Sequence, residues 1–190
     1  MDIFEALYAR RTIRKFSRKP IDSGVLYKLI DCARLAPSAA NLQPIKYAVI
    51  DTEEMAVKIF LLTKWAGYEP AAAPKKGEEP TAYIAVLGDN SVSKTTQSCD
   101  SGLAMAAICY AAEGVGLGSC ILGAIDREKT GELLKLGENL HVLYLIALGY
   151  PAQESEVTNA AEDIKYYLSD DKLYVPKRTL NEIIINYREK

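Results

Sequence analysis

Apolar residues recur along this chain in two alternating rhythms, one of helical period and one of strand period, and the elements they predict alternate as well. Ile3, Phe4 and Leu7 share one face of a short helix over 2–9, which Asp2 can cap. A second helix begins at Asp22. Val25, Leu26, Leu29, Ile30 and Ala33 fall at helical spacing, and Pro37 ends it. Residues 47–50 read as a strand between Pro44 and Asp51. A helix follows from Thr52, its N-cap, to about residue 62. Residues 64–81 break both rhythms with Trp65, Gly67, Pro70, Pro74, Gly77 and Pro80, and read as a mobile loop rather than a linker, because strand-like 82–87 follows at once.

Beyond it, 98–113 form a helix rich in small residues that ends at Gly114. Gly102, Ala104, Ala106, Ala107, Ala111 and Ala112 suit close packing in a core or an interface. Residues 119–122 read as a strand, 126–136 as a capped helix and 142–148 as a buried strand. Near the C-terminus, 164–168 and 173–175 read as a hairpin around Ser169-Asp170-Asp171-Lys172. Thr179 caps a last helix whose stripe of Leu180, Ile183, Ile184 and Tyr187 needs a surface to cover, either the chain's own core or a partner subunit.

With 190 residues the chain suits one domain spanning 1–190, carrying the irregular loop 64–81 and a C-terminal hairpin and tail over 164–190. Its net charge of -2, with both signs dispersed, excludes an electrostatic footprint for nucleic acid. Met1-Asp2-Ile3-Phe4-Glu5 lacks the basic and apolar regions of a signal peptide, and no apolar run approaches the ~20 residues of a membrane span. The expectation is a cytoplasmic protein without a membrane or nucleic-acid partner. Cys32, Cys99, Cys109 and Cys120 form no C-x-x-C pair and no zinc spacing, and are expected to be inert core or pocket thiols.

Four stretches are candidates for chemistry. Arg10-Arg11-Thr12-Ile13-Arg14 gathers three guanidinium groups and a hydroxyl just after a helix. Arginine forks match phosphate oxygens in pairs, although such a turn also serves as solvated surface charge. In Ala36-Pro37-Ser38-Ala39-Ala40-Asn41-Leu42-Gln43-Pro44, two prolines stiffen a loop of small and amide residues. The amides suit a heteroaromatic edge with donors and acceptors, and the plainer reading is a rigid turn. Glu113-Gly114-Val115-Gly116-Leu117-Gly118 follows a helix and precedes a strand, the reverse of a dinucleotide cradle. It reads as a turn feeding a strand that ends at Leu122-Gly123-Ala124, where backbone amides can face a ligand. Val175-Pro176-Lys177-Arg178 either adds cations to the anion site or carries surface charge. His141, the single histidine, opens a buried strand and is expected to be a satisfied structural residue. With no G-x-S-x-G motif and no metal-ligand set, the chemistry falls to an organic cofactor.

Taken in order, the two loops above, the helix opening Asp100-Ser101-Gly102-Leu103-Ala104 and running into Gly116-Leu117-Gly118-Ser119, and Leu148-Gly149-Tyr150-Pro151 resemble the FMN-dependent nitroreductase family across essentially the whole chain. The resemblance implies an α+β fold, a three-layer α/β/α sandwich with a mostly antiparallel central sheet, and a homodimer with swapped C-terminal tails and two FMN sites at the interface. It implies that Arg10, Arg11 and Thr12 hold the flavin phosphate and ribityl chain with Arg178, and that Arg14 sits at the pyrimidine end, favouring the anionic reduced flavin. Pro37, Ser38, Ala39, Asn41 and Gln43 would approach from the neighbouring subunit, and the backbone of Leu122 and Gly123 would lie near the hydride-accepting nitrogen. The implied activity is ping-pong reduction of nitroaromatic, quinone or similar small acceptors with NADH or NADPH. The alternatives are a specialised relative, of reductive dehalogenase or flavin-fragmenting type, and a non-enzymatic flavin-binding protein. Ile45 stands where the family often has tryptophan, and Gly123 offers only backbone where an acidic or amide side chain is usual.

Overall fold

The computed structural model describes residues 2–160 and 163–185. At its centre β1 (Ile45–Ile50), β2 (Ala82–Asp89), β3 (Gly118–Leu122) and β4 (Leu140–Gly149) form a sheet in the order β1-β2-β4-β3, with every pairing antiparallel. Strand side chains alternate between faces, so β2 and β4, apolar at nearly every position, feed two cores. Ala82, Ile84, Val86, Ile146 and Leu148 pack with Leu26 and Leu29 of α2 (Ser23–Arg34) and with Ala104 and Ile108 of α4 (Gln97–Gly114). On the other face, Tyr83, Ala85, Leu145 and Ala147 pack with Ala56 and Ile59 of α3 (Glu53–Phe60), and Leu133 of α5 (Arg127–Leu133) closes the edge. This is the expected α/β/α sandwich. α1 (Ile3–Ala9) buries Ala6 and packs on α4.

The caps predicted at Asp2, Asp22, Thr52 and Asp126 form, while at α6 (Leu180–Ile183) the Thr179 hydroxyl instead donates to the Glu182 carboxylate at 2.8 Å. Asp2 closes a capping box with Glu5, and the side chains of Asp22, Thr52 and Asp126 accept from Gly24, Met55 and Lys129 N–H groups. The far ends differ from the reading by a few residues. α3 stops at Phe60 because the Thr63 hydroxyl takes the Phe60 carbonyl at 2.6 Å. α5 stops at Leu133 because Lys135 turns left-handed, with φ of 53°. β1 starts two residues before 47, and β4 extends beyond 142–148 at both ends.

The C-terminal region departs further. β6 (Tyr167–Ser169) and β7 (Lys172–Lys177) make the expected hairpin, with Asp170 and Asp171 at φ of 49° and 61°, as a tight two-residue turn requires. Its first strand begins at Tyr167 rather than 164, since Asp163 takes the N–H groups of Ile164 and Lys165 in a turn. An unforeseen strand, β5 (Ser155–Asn159), runs parallel to β7. Its sequence, Ser-Glu-Val-Thr-Asn, holds a single apolar residue and so carries no readable pattern. The last helix, α6 (Leu180–Ile183), is one turn: Ile184 has left helical geometry, so the predicted stripe stops there, and Tyr187 lies outside the described residues. Loop 64–81 is tied down rather than loose. Ala66 and Ala72 pack with Leu173 of β7 and with Tyr166.

Two further expectations fail. Cys32 and Cys99 are exposed; only Cys109 and Cys120 are core thiols. His141 is not satisfied, because its Nδ1 is buried with no hydrogen-bond partner among the described residues. No helix among these residues is long and apolar enough to cross a membrane.

Candidate functional site

The arginine segment leaves α1 and docks along the free edge of β3. Thr12 bridges Ser119, and the Ile13 N–H donates to the Ser119 carbonyl at 2.9 Å. Ile13 and Phe16 are buried, so the residues between them are fixed in place. Two glycines permit this approach. A Cβ on Gly118 would lie 2.8 Å from Ile13 Cβ, and one on Gly149 would lie 2.7 Å from Phe16 Cδ1. Alternation along the docked stretch turns Ile13 inward and leaves Thr12 and Arg14 directed elsewhere.

Arg10 and Arg11 stand at the C-terminal end of α4, beside Glu113, where the helix dipole favours positive charge. Burial, then the neighbouring Arg10 charge, lower the Arg11 pKa, with Glu113 opposing. Burial raises the Glu113 carboxyl, and Arg10 and Arg11 hold it back. Arg11 donates to the carbonyls of Arg10 and Tyr8. Among the described residues neither Arg10, Arg11 nor Arg14 forms an ion pair with a carboxylate, whereas Arg18 and Arg34 do. Arg14 differs from Arg10 and Arg11. Its Nη1 is buried without a partner among the described residues, its backbone N–H donates to Gln153 Oε1 at 3.1 Å, and the Tyr166 ring lies 4.3 Å from its Cζ. A phosphorylated, carbonyl-bearing ligand would match these donors: a dianion relieves the repulsion between Arg10 and Arg11, and a carbonyl oxygen suits the orphaned Nη1.

The proline-bracketed loop sits at the opposite end of α4. Asp100, in the first turn, is almost fully buried and accepts from the Ser38 hydroxyl at 2.7 Å and the Ala39 N–H at 3.1 Å. Ser38 Oγ in turn accepts from the Gln43 N–H at 2.9 Å, and the Gln43 amide donates to Asn41. Ala40, Asn41 and Gln43 all take positive φ, between 48° and 55°. Such strain in non-glycine residues, about 1–3 kcal/mol each and less for Asn, gathers where a loop is held for a purpose. Beside the loop is a cleft of about 330 Å³ lined by Ala33, Pro37, Ser38, Gln43, Tyr47 and Asp100. Burial pushes the Tyr47 phenol up to about 12, which keeps it a neutral donor.

The remaining candidates are scattered. Leu122 is a core side chain; Gly123 is exposed, and its carbonyl accepts from Arg127 at 3.1 Å. Arg178 is exposed just past β7, and among the described residues no hydrogen bond joins it to the arginine segment. Four residues at these places escape sequence reasoning: Asp100 as anchor of the loop, Glu113 beside the arginines, and Gln153 and Tyr166 around Arg14. Asp100 carries a signal, an acid in the first turn of a helix; the others are brought in by tertiary contact alone.

One dimension organises all of this. From Asp100 to Glu113 is thirteen helical steps, about 20 Å. In one chain the loop and the arginine pair are therefore held apart at the two ends of α4.

Comparison with known proteins fits this arrangement. The model described as "Nitroreductase family" matches residues 7–150. An Archaeoglobus fulgidus protein named "Putative NADH dehydrogenase/NAD(P)H nitroreductase" is 31% identical, over 90% of this chain and 92% of its own. The Bacillus subtilis "FMN reductase [NAD(P)H]" is 25% identical, over 100% of this chain and 84% of its own. The crystal structure of a nitroreductase family protein from Clostridium novyi NT superposes with a TM-score of 0.69 at 29% identity, covering 80% of this chain and 87% of that one.

Proposed function

Because the chain belongs to the nitroreductase family, we propose that it is an FMN-dependent NAD(P)H oxidoreductase acting as a homodimer, with each site built from two copies. One observation carries this reading. Two preorganised half-sites, one cationic and without an ion pair among the described residues, the other a strained amide loop, lie about 20 Å apart at the ends of one helix. An antiparallel second copy brings the loop end of its own α4 to the arginine end of the first, twice over. The apolar surface left for such a partner is consistent. Ile3, Phe4 and Tyr8 of α1 and Leu180, Ile183 and Ile185 of the tail are each more than 60% exposed, and Leu103 of α4 also faces outward. Exposed apolar groups in such number mark an interface.

FMN, when bound, supplies the two-electron exchange between a nicotinamide and a small planar acceptor. The chain's residues hold and tune it. Arg10 and Arg11, with Thr12, would hold the phosphate and ribityl chain, and Arg178 would add charge from the tail. Arg14 would present a cation at the pyrimidine end, where negative charge develops on reduction. From the partner copy, the rigid Pro37–Gln43 stretch would offer Ser38, Ala39, Asn41 and Gln43, and the backbone at Leu122 and Gly123 would complete the flavin site. No side chain need donate or accept the transferred hydride. Orientation and exclusion of water are what this scaffold adds. Nitroaromatics and quinones fit as acceptors by planarity and electron affinity.

The test is the absorbance spectrum of the purified protein, followed by anaerobic addition of NADH and of NADPH. A yellow protein that bleaches with either supports the reading. A colourless protein that takes up no added FMN, or a flavoprotein that never bleaches, refutes it.

A further inference from the structure

Arg14 differs from the other two cations in having a buried guanidinium nitrogen with no partner among the described residues, and what holds it is not explained by flavin binding as such. Two contacts fix it. Arg14 Cζ lies over the Tyr166 ring, 4.3 Å from its centroid, within the range of a cation–π contact. Gln153 Oε1 accepts from the Arg14 backbone N–H at 3.1 Å, while its own Nε2 is buried without a partner, as is Arg14 Nη1. Tyr166 is held in turn: its ring packs on Tyr68, with centroids 5.4 Å apart, and its hydroxyl accepts from the Tyr68 N–H at 3.4 Å. Loop 64–81, the segment before β6 and the arginine segment are thus linked through one aromatic ring.

We infer that Tyr166 is a positioning residue which, with Gln153, clamps Arg14 in one orientation and thereby sets how strongly the protein prefers reduced over oxidised flavin. This rests on the functional reading above. The physical reason is specific. A guanidinium on a flexible stem spreads its charge over many rotamers, and only the fraction aimed at the pyrimidine edge stabilises charge developing there. Oxidised FMN presents only a neutral carbonyl at that edge and gains less from the clamp than the reduced form, whose edge carries charge. The clamp acts on the difference between the two redox states, not on flavin capture, which belongs to Arg10 and Arg11.

The experiment compares Tyr166→Leu and Tyr166→Phe with the wild-type holoprotein, by spectroelectrochemical titration and by FMN titration of the apoprotein. Tyr166→Leu is expected to bind oxidised FMN within threefold of wild type but reduced FMN about tenfold more weakly. For a two-electron couple that is a fall of about 30 mV in midpoint potential. Tyr166→Phe keeps the aromatic face and is expected to stay near the wild-type potential. Tyr167→Leu, the next residue and the first of β6 but stacked on Tyr174, is the control for general loosening of the hairpin. Should Tyr166→Leu not fold, Gln153→Met, which removes the amide bound to Arg14, carries the same expected direction. Equal weakening of both redox forms, or the same fall in Tyr167→Leu, assigns Tyr166 a merely structural role and overturns the inference. A wild-type protein that binds no FMN overturns the functional reading and this inference together, and is told apart by the first titration.

Discussion

Replacing Asp100 tests whether the amide loop is held from below. Its carboxylate, almost fully buried at the start of α4, accepts from the Ser38 hydroxyl and the Ala39 N–H. Hydrogen bonds to a charged group contribute about 1.5–3 kcal/mol each. Two of them do not sum in full, because Asp100→Ala also removes a buried charge that is costly to desolvate, and because the exposed loop lets water reach Ala39. The expected loss is therefore about 1–3 kcal/mol for Asp100→Ala. Asp100→Asn keeps one acceptor without the charge, and about half that loss is expected. The larger consequence is local. Without its anchor the loop has no reason to keep Ala40, Asn41 and Gln43 at positive φ, so it relaxes and FMN must reorder it on binding. Urea denaturation gives the stability change, limited proteolysis reports cleavage within 36–43, and FMN titration reports affinity. A variant with unchanged midpoint, unchanged cleavage and unchanged affinity would refute the anchoring role of Asp100.

Arg10→Ala is expected to weaken FMN binding by about 1.5–3 kcal/mol, through loss of a charge-assisted fork, measured by titration of the apoprotein. Gly118→Ala drives a methyl group into Ile13 and is expected to cost about 1–3 kcal/mol of stability, read by denaturation, with flavin lost as the arginine segment shifts. Burial raises both core thiols, Cys120 to about 11, so only Cys32 and Cys99 should react with a thiol reagent at pH 8 until denaturant is added. Because the Cys120 pKa is higher folded than unfolded, its contribution is intact below about pH 8.5 and is lost as pH rises towards 11, which a pH series of melting temperatures checks. Deleting the residues after Pro176 removes Arg178 and the exposed tail, and sedimentation with absorbance should show a colourless protein; a yellow monomer contradicts the two-copy site.

Much of the sandwich was legible because α2 keeps a helical stripe, β2 and β4 are nearly continuous apolar runs and α4 is a long run of small residues, and because Asp2, Asp22, Thr52 and Asp126 announce their helices. β5 was not, since Ser155 to Asn159 become a strand only by pairing with β7. The fate of Cys32 and Cys99 was also hidden: each sits in a helix whose buried side cannot be told at single-residue precision from spacing alone. The two loops of the site were readable as motifs. That Ser38 turns its hydroxyl to Asp100 rather than outward, and that Gln43 spends its amide on Asn41, depends on distant contacts. Tyr166, more than 150 residues from Arg14, carries no local sign of its role.

The docking of Thr12 and Ile13 on β3 has a consequence for solubility. A sheet margin with unsatisfied amides and carbonyls is a template for a stranger's backbone, and chains that expose one tend to stack. Here the margin beyond β3 is occupied by the same stretch that bears the cations. Trimming the first fifteen residues would therefore strip away more than ligand affinity. It would bare a sticky seam, and the shortened protein should precipitate rather than persist as an idle, well-behaved shell.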